Sequence, residues 1–127
     1  MNTTENRPVF LNLLQIRQPV TAVLSILHRI SGVLMVILLP GLVYALDLSL
    51  RGVEGFAQVS GLFSSPVAKG VAVLLCWMLS HHLLAGIRFM LLDFDVGVSK
   101  SVAQQTAWLA HAGAIIMTVL IAAGLLF

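Results

Sequence analysis

Residues 66–93 read PVAKGVAVLLCWMLSHHLLAGIRFMLLD. A helix needs about 20 mainly apolar residues to cross the hydrocarbon core of a bilayer, and this stretch is long enough. Within it, Ser80-His81-His82-Leu83-Leu84-Ala85-Gly86-Ile87-Arg88-Phe89-Met90-Leu91-Leu92-Asp93 sets two adjacent histidines and, two turns on, an arginine into lipid-soluble surroundings. Ionisable groups are expensive at membrane depth and are found there mainly where they act. The stretch therefore predicts a membrane-spanning helix with a working site in it.

The rest of the chain agrees with a membrane solvent. Its 127 residues make one domain, 59% hydrophobic and only 9% charged. The mean hydropathy is +1.02, and so few charges could not cover a soluble domain. A formal net charge of +2, scattered along the chain, gives no nucleic-acid face. Cys76, the single cysteine, sits mid-span and reads as a small buried apolar residue. Residues 1–20 are mixed and polar, with Arg7, Pro8, Arg17 and Pro19, and carry no secretory signal pattern. Direct insertion into a bacterial inner membrane is expected.

The predicted fold is all-α and integral to the membrane, a single anchor domain over 1–127 with three transmembrane helices at about 21–46, 66–92 and 101–127. Pro19 and Thr21 mark the first start, and Pro40 should bend that helix without ending it. In the connection 47–65, Val53, Phe56, Val59 and Phe63 recur at helical spacing, which predicts a short helix at the interface. Ser65 and Pro66 form a cap and first position for the second span. Ser101 and Gln104 have capping-box spacing for the third.

Positive charges set the orientation. Arg7, Arg17, Arg88 and Lys100 fall on one side, and Arg51 and Lys69 on the other, so the N-terminus is expected in the cytoplasm. Asp93 and Asp95 solvate the second loop, with Asp93 also spaced to pair with Arg88. At 1.5 Å per residue, His28, His82 and His111 each lie roughly 13–16 Å from the cytoplasmic ends of their helices. Three helices thus carry a histidine at one depth.

On the first helix, Ser25, His28 and Arg29 have i, i+3 and i+4 spacing and share a face. A hydroxyl, an imidazole and a guanidinium fork together suit a carboxylate, a phosphate or a carbonyl oxygen. On the second helix, His81 and His82 point about 100° apart, so the two cannot serve one site. His82, Gly86 and Phe89 share a face, and Gly86 leaves room for a bulky planar group such as haem. A neutral imidazole, favoured by burial, is the form that ligates iron. Bis-histidine ligation needs a second imidazole across the ring. Chemistry alone would pair His82 with His28, with His111 or with another subunit. His111, among Ala110, Ala112 and Gly113, reads as structural or partner-facing.

At these residues the chain resembles the cytochrome b membrane-anchor subunit of bacterial succinate dehydrogenase, respiratory complex II. The matching pieces are Arg7-Pro8, Ile16-Arg17-Gln18-Pro19-Val20-Thr21-Ala22 and Ser25-Ile26-Leu27-His28-Arg29-Ile30-Ser31-Gly32-Val33. Glu54-Gly55-Phe56, His82-Leu83-Leu84-Ala85-Gly86-Ile87-Arg88 and Met90-Leu91-Leu92-Asp93-Phe94 complete them. The third helix matches only as a generic span. Two positions depart. Phe89 stands where the family commonly has a further histidine, and His81 where it often has tyrosine.

The resemblance implies a three-helix subunit that pairs with a second small membrane-anchor subunit, with haem b shared between them. It implies His82 as the axial ligand of the haem iron, His28 and Arg29 at the haem propionates, and Ser25 and Arg29 at a ubiquinone site. Flavoprotein and iron–sulfur subunits, carrying FAD and iron–sulfur clusters, would dock on the cytoplasmic face. The chain would thus serve the tricarboxylic acid cycle and electron transport without acting on succinate itself. An alternative is a small transporter or channel component, with Arg29 and the histidines lining a proton or anion path.

Overall fold

The computed structural model describes residues 16–126, with side chains as far as Gly124. Arg7 and Pro8, counted for orientation and resemblance, lie outside the described residues, as does the expected helix end at Phe127. Four helices follow in order: α1 (Val20–Leu50), α2 (Val53–Phe63), α3 (Pro66–Asp93) and α4 (Lys100–Leu126). Among the described residues there is no strand. Among the described residues three helices, α1, α3 and α4, are long and apolar enough to cross a membrane.

The first helix is longer than its pattern. It starts at Val20, so Thr21 lies inside it and Pro19 takes the cap position, its carbonyl accepting from the Ala22 and Val23 N–H groups at 2.9 and 3.1 Å. Pro40 sits within an unbroken helix. The helix also runs past Asp47, the first acidic residue, because Asp47 accepts from Arg51 Nε one turn on, at 3.0 Å. An i, i+4 pair of this kind supports a helix end.

Helix α2 is the expected short helix. Gly52 precedes it with φ of 125°, a conformation that suits glycine. Gly55 is buried, and a Cβ there would collide with the Leu48 carbonyl, so only glycine lets α2 lie this close to α1. Val53 and Phe56 point outward.

Helix α3 opens as expected, with the Ser65 hydroxyl accepting from the Ala68 N–H at 3.1 Å and Pro66 at the first position. Its other end turns through Asp95 and Gly97, with φ of 60° and 80°. The Ser101–Gln104 capping box does not cap α4: the helix begins at Lys100, and the Ser99 carbonyl accepts from the Ala103 N–H at 2.8 Å.

Helix α3 lies between α1 and α4. Leu24 of α1, Ala85 of α3, and Ala107 and Ala110 of α4 form one buried cluster. The alanine stripe continues to Ala114, fully buried. At Gly113 a Cβ would come within 2.9 Å of Leu84 Cδ1. Lipid tails are as apolar as leucine, so helices in a bilayer associate through close packing and inter-helix hydrogen bonds, and small residues permit the approach. Cys76 is half-buried rather than buried. The outward faces carry Val33, Val36, Ile37, Leu39 and Val43 on α1 and Ile115, Ile116, Val119 and Leu120 on α4.

Candidate functional site

The two adjacent histidines of α3 do face different helices. His82 turns to α1 and His81 to α4. The His82 ring stacks on His28, with centroids 3.9 Å apart and planes 14° apart. Its Nδ1 lies 3.0 Å from the His28 carbonyl oxygen and 3.1 Å from Ser31 Oγ. A carbonyl only accepts, so Nδ1 carries the proton and donates it. Ser31 gives its own hydroxyl proton to the same carbonyl, at 2.9 Å, and so turns a lone pair towards His82. The neutral ring then has its free lone pair on Nε2.

That nitrogen makes no hydrogen bond among the described residues, and the His82 side chain is half-buried. The stack with His28 covers a face of the ring and not its Nε2 edge. This is the arrangement an iron-ligating histidine takes, with the distal nitrogen held by a backbone carbonyl that fixes tautomer and ring angle. The residues therefore fit a haem approached from Nε2. Among the described residues no group of three His, Cys, Asp or Glu side chains is placed to hold a metal ion.

One glycine makes room for the pair, and a second packs beside it at ordinary contact distance. A Cβ at Gly32 would lie 2.9 Å from His82 Cε1, so α1 makes room for the His82 ring there. A Cβ at Gly86 would lie 3.5 Å from His28 Nε2. The planar group expected beside Gly86 is thus, within this chain, the His28 imidazole. Phe89 closes the edge of His28 at 5.2 Å in a T-shaped contact. Ser31 and Gly32 belong to the stretch that carries the resemblance, but the sequence assigns them no role at the site. Their signal was the small pair three and four residues after His28, on its own helical face.

The other sequence candidates are arranged more openly. Ser25 is half-buried and Arg29 exposed, one turn apart on α1. Arg29, Ile30, Val33 and Leu34 line a shallow surface recess. Neither Ser25 nor Arg29 is hydrogen-bonded to His82 or His28.

His81 and His111 form a second imidazole pair, His81 Nε2 to His111 Nδ1 at 3.2 Å. His81 is fully buried, and its Nδ1 has no partner among the described residues. Trp77 and Trp108 flank the two rings, at 5.3 and 6.2 Å. His111 therefore meets its own chain. Arg88 does not pair with Asp93. It crosses to α4, donating from Nε to Thr106 Oγ1 at 3.0 Å and from Nη2 to the Ala103 carbonyl at 2.9 Å.

Comparison with known proteins identifies the family. Residues 3–121 match the family described as succinate dehydrogenase/fumarate reductase transmembrane subunit. The chain is 37% identical over 91 residues to the succinate dehydrogenase cytochrome b556 subunit of Coxiella burnetii, covering 68% of this chain and 70% of that one. The subunit of the same name from Paracoccus denitrificans is 28% identical over 115 residues, covering 91% and 88%. That from Rickettsia conorii is 30% identical over 115 residues, covering 91% and 90%. With its three apolar spans, the chain belongs to the succinate dehydrogenase/fumarate reductase transmembrane subunits, as a multi-pass anchor of the cytochrome b type.

Proposed function

We propose that this chain anchors succinate dehydrogenase in the bacterial inner membrane, shares a haem b with a second small anchor subunit, and forms part of the site where ubiquinone is reduced. His82 would hold the haem iron through Nε2, with the partner subunit providing the other ligand. The observation that carries this reading is the donation of His82 Nδ1–H to the His28 carbonyl, which leaves Nε2 as the lone-pair nitrogen, in a chain whose relatives are named cytochrome b556 subunits. The family match favours electron transfer over the transporter alternative.

When bound, the haem supplies a one-electron redox centre whose potential follows from axial ligands, hydrogen bonding and burial. The chain's own residues position it. His28, stacked on His82, and Arg29 beside it would hold the haem propionates, where a guanidinium offers charge-assisted hydrogen bonds. Ser25 and Arg29 donate to a quinone carbonyl oxygen and stabilise the negative charge that develops there during reduction. Succinate chemistry belongs to the flavoprotein and iron–sulfur subunits, docked on the cytoplasmic face beside the N-terminus of this chain.

The test uses the assembled complex. Ser25→Ala and Arg29→Ala should each lower succinate–quinone reductase activity, with Ser25→Ala leaving haem content intact. His82→Ala should remove haem, read as the pyridine haemochrome of the purified complex. Full quinone reductase activity in both helix α1 variants would refute the quinone assignment.

A further inference from the structure

We propose that Arg88 and the groove between α3 and α4 bind the phosphate and an acyl chain of an anionic phospholipid. Arg88 is only 7% exposed, yet both its hydrogen-bond partners, Thr106 Oγ1 and the Ala103 carbonyl, are neutral. Among the described residues the one ion pair is Arg51–Asp47, at the other end of the bundle. Asp93 and Asp95, the nearest acidic residues in sequence, lie in or beside the turn after α3 and make no ion pair with Arg88. The Phe89 ring, 5.6 Å from Arg88 Cζ, offers only the weak attraction of a π-face. A guanidinium stays charged, and a desolvated charge needs a counter-charge.

One nitrogen remains for it. Nη1 makes no hydrogen bond among the described residues. Arg88 lines a groove of about 320 Å³ whose other walls include Leu84, Ile87, Leu91, Val102 and Leu109. The ligand is therefore an anion with a long apolar part. The position fits as well. Arg88 lies five residues before the end of α3, roughly 7–8 Å at 1.5 Å per residue. A helix of 28 residues exceeds the hydrocarbon thickness, so this is the depth of the headgroup boundary. The N-terminus of α4, with Lys100 as its first residue, adds positive potential at the same end.

The test counts phospholipids retained by the detergent-purified, assembled complex in native mass spectrometry. Wild type should hold one more than Arg88→Gln, and phosphatidylglycerol micelles added after delipidation should restore it in wild type alone. Because Arg88 also ties α3 to α4, Val102→Trp provides a second variant that fills the groove with Arg88 intact; it should lose the same lipid. An equal count in wild type and Val102→Trp would overturn the proposal. So would displacement of the lipid by millimolar inorganic phosphate, which would mark a free-anion site. Loss of a partner subunit in Arg88→Gln, with the lipid count unchanged, would assign the counter-charge to a protein carboxylate instead.

Discussion

Helix α3 carries two imidazole pairs one residue apart, and they are built for opposite ends. The His28–His82 pair is open. The His82 proton is committed to a backbone carbonyl, and the ring is half-buried with no hydrogen bond at Nε2 among the described residues. The His81–His111 pair is closed. Its rings bond each other across α3 and α4, with His81 at 0% exposure. A ligand site needs a free, oriented nitrogen with an approach; a helix clip needs burial. The 100° between adjacent helical residues would let one histidine do each.

The contrast can be broken from the open side first. Gly32→Val sets a branched side chain where even a Cβ would meet His82 Cε1 at 2.9 Å. The His82 ring must swing away, and haem content of the assembled complex should fall to near zero by pyridine haemochrome. A full complement of haem would show that the Gly32 cradle does not position the ligand. Ser31→Ala is milder. It removes the hydroxyl beside Nδ1 but keeps the His28 carbonyl. Loss of an outer-shell partner costs about 10–100-fold in affinity, and the lower figure is expected here, measured as haem loss to apomyoglobin.

The closed side should answer differently. His111→Leu leaves His81 without its one partner and should destabilise the bundle by about 1 kcal/mol, the scale of hydrogen bonds between membrane helices. Haem content should stay unchanged. Unfolding of the complex in mixed detergent micelles reads the first, and the optical spectrum the second. Smaller still is Thr106→Val, which removes one of the two bonds holding Arg88. Its effect should be a fraction of that of His111→Leu in the same assay.

Much of this was legible in the sequence because a membrane simplifies the code. Apolar length gave the three spans, Ser65-Pro66 gave the start of α3, and the spacing in 53–63 gave α2. The divergence of His81 and His82 followed from helical geometry alone. What was hidden depends on which face of one helix meets which face of another. The roles of Ser31 and Gly32 emerge only when His82 arrives from α3, and the turn of Arg88 towards Thr106 only when α4 is packed in place. The end of α1 was misread because Asp47 looked like a boundary, whereas its bond to Arg51 carries the helix on to Leu50.

The most direct test of the central claim compares neighbouring histidines in one experiment. Reduced-minus-oxidised optical spectra are recorded on membranes holding the assembled complex, with His82→Ala in one preparation and His81→Ala in the other. The b-type signal should vanish from the first and persist in the second. A normal signal in His82→Ala would contradict the assignment of Nε2 of His82 as the haem ligand.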